Sequence, residues 1–306
     1  MTTFKKTFGA LALFLIAFGC EQGEDVKRLR PVDDSPIFMD LPAEASGRKK
    51  ADSRHAVFSA EYITSGDADQ VGRTIIFRNV GSKQLTADFV PGLSLDGTDN
   101  VSFYVDENRP SADLSTALTT NAIARAMGTW DGVTCSELGM YQVASSKRIT
   151  TGFVSELFGF GGSFDYVADV VHAGWLGADF FDMLAPEGST FILAVTFTII
   201  FTDDNGNPTD LDNNGKLDVA WREIYYNDTF PWADGNHYDV ETIALHEAGH
   251  GLSQGHFGSA FFDAGASKLH FSPRAVMNAA YSGIQTQIGE TDNGGHCSIW
   301  SSWNEN

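Results

Sequence analysis

Blocks of apolar residues recur along the chain with two different periods, and these periods set out the expected elements. Residues 72–77, 85–89 and 101–105 are rich in β-branched and aromatic side chains and are separated by Gly, Asn and Asp, which predicts three strands. Between Ser115 and Trp130 the period lengthens. Leu118, Ala122, Ala126 and Trp130 repeat every four residues, and Ile123 and Met127 widen the stripe, which predicts an amphipathic helix. Residues 140–143 read as another strand. Residues 191–201 form a long apolar, β-branched run suited to a central strand, and residues 219–226 form a further one. A second helix is expected to begin at Asp239, whose carboxylate suits an N-cap. Gly159 to Gly162 reads as a turn, since no phosphate-binding lysine follows it. No repeats occur and strands do not alternate regularly with helices, so the expected class is α+β, with one helix backing a sheet and another carrying a site.

The two ends of the chain read differently. Lys5 and Lys6 precede an apolar run, residues 11–18, that is too short to span a bilayer. Ala17-Phe18-Gly19-Cys20 then resembles a bacterial lipoprotein signal, in which Cys20 would be lipidated and become the first mature residue. An ordinary secretory signal is the alternative. Residues 1–19 are therefore expected to be a signal peptide. Residues 20–55, polar and without periodicity, are expected to be a flexible tether or pro-segment, and residues 56–306 the folded domain. The expected location is outside the cytoplasm, as a cell-envelope lipoprotein held to a membrane by its lipid or as a secreted protein. In an oxidising compartment Cys135 and Cys297 form an even pair, available for one long-range disulfide or left as two buried thiols.

Composition narrows the partners. A hydrophobic content of 42% with 23 Phe supports a sizeable core, and a formal net charge of −20 repels phosphate backbones, which argues against nucleic acid as a partner.

The chemistry concentrates in His246-Glu247-Ala248-Gly249-His250-Gly251-Leu252-Ser253-Gln254-Gly255-His256. Three of only eight histidines fall within these eleven residues, which argues against coincidence. On a helix His246 and His250 share one face, one turn apart. Two imidazoles leave a zinc ion two tetrahedral positions. His256 can fill one if the chain turns back, and water the other, with Glu247 placed to take a proton from that water. A second candidate is Asp210-Leu211-Asp212-Asn213-Asn214-Gly215-Lys216-Leu217-Asp218. Asp210, Asp212, Asn214, Lys216 (through its carbonyl) and Asp218 fall at spacings that suit calcium, although Trp221 stands where an EF-hand has its bidentate Glu; an acidic turn is the alternative. Asp169 with His172 could hold a structural ion, but the pair reads more simply as surface residues.

The zinc motif resembles that of the metzincin clan of zinc endopeptidases, HExxHxxGxxH followed by a methionine turn. His246, Glu247, His250 and His256 match it, and residues 274–281 resemble the turn, with Met277 as its methionine. Residues 168–175 and 223–227 resemble strands of the matrixin-like branch. The resemblance implies a twisted, mostly parallel sheet, a backing helix and an active-site helix, with a cleft between upper and lower subdomains. It implies one catalytic zinc, a protein or peptide substrate, Met277 as a floor beneath the histidines, and a tyrosine, Tyr281 here, that helps hold the oxyanion. Two departures stand out. Ser253 replaces the clan's glycine, at a position where a left-handed residue costs on the order of 1 kcal/mol. The gap from His256 to Met277 is also longer, so residues 257–276, with Phe257, Phe261 and Phe262, are expected to form an extra loop. Rival readings are a non-catalytic cell-surface binding module that keeps the fold, and a gluzincin-like site whose third ligand is a glutamate such as Glu290.

Overall fold

The computed structural model describes residues 29–43, 45, 54–77, 87–90, 92–95 and 97–303. The signal segment, Cys20 and the first two residues of the strand expected at 85–89 lie outside the described residues. The described strands, in chain order, are β1 (Leu29–Pro31), β2 (Ile37–Met39), β3 (His55–Thr64), β4 (Thr74–Phe77), β5 (Ala87–Asp88), β6 (Val101–Val105), β7 (Met140–Gln142), β8 (Val170–Leu176), β9 (Ile192–Phe201), β10 (Leu217–Asn227), β11 (Ser259–Asp263) and β12 (Lys268–Ser272). The α-helices are α1 (Thr116–Asp131), α2 (Phe153–Phe158), α3 (Ala178–Asp182), α4 (Val240–Gly251) and α5 (Glu290–Trp300).

The chain is a mixed α/β protein built on a nine-stranded sheet of order β2-β4-β3-β9-β10-β8-β6-β7, with β5 beside β10. Strands β10, β8, β6 and β7 run parallel, while β9 is antiparallel to both β10 and β3. The long runs β9 and β10 are buried on both faces, which is why they carry almost no alternation of polar residues. On one face Ile224 and Tyr226 pack with Ile123, Met127 and Leu245 of α1 and α4. On the other Trp221 and Tyr225 pack with Phe153 of α2 and Phe180 of α3. Glu223 reaches from β10 to the start of α2, where its carboxylate accepts hydrogen bonds from the amides of Phe153 (2.7 Å) and Val154 (2.9 Å).

Helix α1 forms where the four-residue period predicts it, capped by Ser115, and five of the six residues of the expected stripe are buried. Thr119, Ala122, Ile123, Ala126, Met127 and Trp130 are buried, while Leu118 is 44% exposed. The helix packs on α4 through Trp130, whose indole N–H donates to the Leu245 carbonyl at 2.9 Å.

Three sequence expectations are corrected. The segment expected to be a flexible tether or pro-segment is not wholly irregular: it contributes β1, which pairs with β11, and β2, which pairs with β4. Strands of three residues are too short to display a period, so their partners decide them. The loop expected at 257–276 is a hairpin, β11–β12, that joins β1 in a three-stranded sheet. Asp169 and His172 are fully buried rather than surface residues. Asp169 accepts from the Ser102 amide (2.8 Å) and the Leu95 amide (2.9 Å), and His172 Nδ1 meets the Tyr226 hydroxyl at 2.8 Å. Cys135 and Cys297 are joined in a disulfide that ties α5 to the segment following α1. Among the described residues no helix is long and apolar enough to cross a membrane.

Candidate metal centre

Asp239 caps α4, accepting hydrogen bonds from the Thr242 amide (2.8 Å) and hydroxyl (2.6 Å). From that fixed start the helix is buried almost throughout, and His246, Glu247 and His250 are each at most 1% exposed. Met277 lies against the helix where only glycine fits. A Cβ built on Gly249 would come within 2.3 Å of the Met277 sulfur.

The imidazoles converge through one kind of nitrogen. His250 Nε2 lies 3.0 Å from His246 Nε2 and 3.2 Å from His256 Nε2. His246 Nδ1 faces the Val276 carbonyl at 2.8 Å, and His250 Nδ1 faces the Gln254 carbonyl at 2.7 Å. A carbonyl only accepts, so both Nδ1 atoms carry the proton and both Nε2 atoms present lone pairs. Two nitrogens bound at 2.0–2.1 Å to one tetrahedral ion would stand about 3.3 Å apart. Two of the three Nε2 pairs therefore have nearly that spacing, and the ligand atoms of all three rings lie within 4.8 Å of one another. Burial pushes the His246 pKa down to about 3 and that of His250 down to about 4, and also lowers His256, so the rings stay neutral and free to ligate.

Glu247 is held by one oxygen and free at the other. Its Oε2 accepts from the Thr196 hydroxyl of β9 at 2.5 Å, while Oε1 is buried without a hydrogen-bond partner. Burial raises its pKa well above the ordinary carboxylate value, opposed by the Thr196 hydrogen bond. A second carboxylate, Glu61 of β3, brings Oε2 to 3.6 Å from His250 Nδ1. Burial pushes Glu61 up to about 7 against the opposing pull of Arg222. Beneath the site both oxygens of Asp292 accept from the turn, from the Val276 amide at 3.0 Å and the Met277 amide at 3.1 Å. A recess of about 220 Å³ opens beside His256, lined in part by Gly255, Phe257, Met277 and Thr291.

Ser253 takes a left-handed conformation, φ 70°, which glycine would adopt without strain. Glu290 begins α5 on the surface and is not among the clustered ligand atoms, so the gluzincin-like arrangement is not formed. Tyr281 packs its ring against His237 and Tyr238, just before α4. His246 stands seven residues beyond the Asp239 cap, about 10 Å along the axis. The Tyr281 hydroxyl has no hydrogen-bond partner.

At the second cluster, oxygens of Asp210, Asp212 and Asp218 lie within 4.8 Å of one another. The Lys216 ammonium pairs with Asp88 at 2.7 Å, so Lys216 has only its carbonyl to offer a cation. The Asn214 amide donates to Asp212 at 3.0 Å, which leaves its oxygen as the ligating atom.

Sequence reasoning missed Glu61, Thr196, Arg222 and Asp292. Polar residues inside the apolar runs of β9 and β10 were the available signal for Thr196 and Arg222. Glu61, inside the apolar run of β3, carries the same signal, and nothing local marks Asp292.

No protein-family model matches the chain, and a search of curated proteins finds no significant match.

Proposed function

We propose that the chain is an exported, zinc-dependent endopeptidase of the metzincin type, acting on protein or peptide substrates. The observation that carries this reading is the convergence of three histidine Nε2 atoms beside a glutamate with one free buried oxygen. The parallel strands β10, β8, β6 and β7, backed by α1 and served by α4, support the same reading, as does Met277 beneath the helix. The Cys135–Cys297 bond supports export, and the lipid anchor is proposed at Cys20.

His246, His250 and His256 would hold the metal. Zinc, when bound, polarises a carbonyl and acidifies water. Glu247 Oε1 accepts the proton of the attacking water and returns it to the leaving amine, while Thr196 keeps the other oxygen in place. Burial raises the Glu247 pKa, which makes its ionised form a stronger proton acceptor.

The alternative, a non-catalytic cell-surface binding module that keeps the fold, rests on Ser253, which takes the left-handed conformation. The deciding experiment incubates purified protein with casein. Cleavage that is lost on chelation, restored by zinc and absent in Glu247→Ala supports the peptidase. One zinc per chain with no cleavage across a broad peptide library would overturn it in favour of a binding module.

A further inference from the structure

The turn that returns His256 to the helix is a Schellman-type cap with an unusual residue in its left-handed position. The Ser253 amide donates to the His250 carbonyl at 3.0 Å, and the Gln254 amide donates to the Gly249 carbonyl at 3.0 Å. Glycine is the usual residue there, because any Cβ in this conformation is strained. Ser253 is nonetheless held at φ 70°.

What holds it comes from the sheet. Arg222 of β10 is 3% exposed, and its guanidinium reaches the end of α4. One nitrogen, Nη1, donates both to the Gly251 carbonyl (3.0 Å) and to the Ser253 hydroxyl (2.8 Å). The rest of the fork is fixed from behind. Nε donates to the Thr198 hydroxyl at 3.1 Å, Nη2 donates to the Ala87 carbonyl at 3.1 Å, and the group lies over the Phe89 ring at 5.2 Å. A buried cation at a helix C-terminus also meets the negative end of the helix dipole. The next residue, Gln254, offers its carbonyl to His250 Nδ1, and His256 follows two positions later.

We infer that Arg222 is a positioning residue of the metal centre, holding through Ser253 the left-handed turn that brings His256 to the two helix histidines. This rests on the reading of the three histidines as metal ligands. Arg222 touches neither a ligand nitrogen nor Glu247. It acts through the turn, as outer partners of metal ligands do.

The test measures zinc affinity by competition with a chromophoric chelator, and the visible absorption of the cobalt-substituted protein as a report on coordination. Ser253→Ala keeps the strain and loses the Arg222 bond, so its zinc affinity should fall about ten-fold or more and its cobalt spectrum should change. Ser253→Gly loses the bond but also the strain, and should restore affinity to within about three-fold of wild type. Arg222→Lys keeps a positive charge without the fork and should weaken zinc as Ser253→Ala does, with the double variant little worse than either single one. If Ser253→Ala and Arg222→Lys bind zinc with the wild-type affinity and cobalt spectrum while His256→Ala does not, the inference is overturned and the three-histidine site stands. If wild type takes up no zinc, or His256→Ala matches wild type, the site reading fails and the inference goes with it.

Discussion

His246 Nε2 and His250 Nε2 stand 3.0 Å apart with no proton between them, because each ring has given its Nδ1–H to a carbonyl. Two lone pairs aimed at each other in a buried site repel, and a cation between them removes the repulsion. Protein with the site filled should therefore be more stable than the metal-free protein. At a free zinc concentration of 100 times Kd the gain is about 2.7 kcal/mol, on the order of 5–10 °C in Tm for a protein of this size. Calorimetry with and without chelator measures it. The same Tm in both states would count against a metal held by these rings.

Glu247→Gln preserves shape and removes the base. Cleavage should fall by about 10²–10⁴-fold while zinc content stays at the wild-type level. Parallel assays of turnover and bound metal separate the two effects.

Thr196 donates to Glu247 and lowers the carboxyl's pKa against the effect of burial. Thr196→Val removes that donor, so the Glu247 pKa should rise. The acid limb of the kcat/KM profile should then move to higher pH, and an unchanged limb would mean that it reports another group.

His172 is buried on β8, and desolvation lowers its pKa from 6.5 to about 3. The unfolded chain therefore binds a proton in this window that the folded one refuses. Stability from this group is present above pH 6.5 and is lost as the pH falls from 6.5 toward 3, at up to about 1.36 kcal/mol per pH unit. Denaturation of wild type and His172→Asn across pH 4–7 should show wild type losing ground as acid is added.

The disulfide closes a loop across a sequence separation of 162. Loop-closure entropy assigns such a link about 5 kcal/mol. Cys135→Ser with Cys297→Ser should lower Tm by on the order of 10 °C, and cleavage at low temperature should persist, because neither cysteine belongs to the three-histidine cluster.

Much of this protein was legible along the chain. The strands 101–105 and 191–201, the helix capped by Ser115 and the helix capped by Asp239 follow from local period and capping chemistry, which neighbours in sequence supply. The short strands β1 and β2 and the hairpin β11–β12 were not legible, since their stability comes from partners far away in sequence. The same holds for the metal centre. His246, Glu247, His250 and His256 announce themselves by spacing, whereas Glu61, Thr196 and Asp292 reach the site from distant parts of the chain.

The sequence by itself determined that two imidazoles share a helix face, that a carboxylate sits next to them, and that a third imidazole follows within reach of a turn. These are consequences of the 3.6-residue period and of side-chain chemistry. Whether His256 closes the set was a tertiary matter. It depended on a left-handed serine, and the group that holds that serine, Arg222, arrives from a strand 31 residues earlier. Helical spacing is a local property, whereas the guanidinium at this turn comes from a strand that only the folded sheet places beside the helix end.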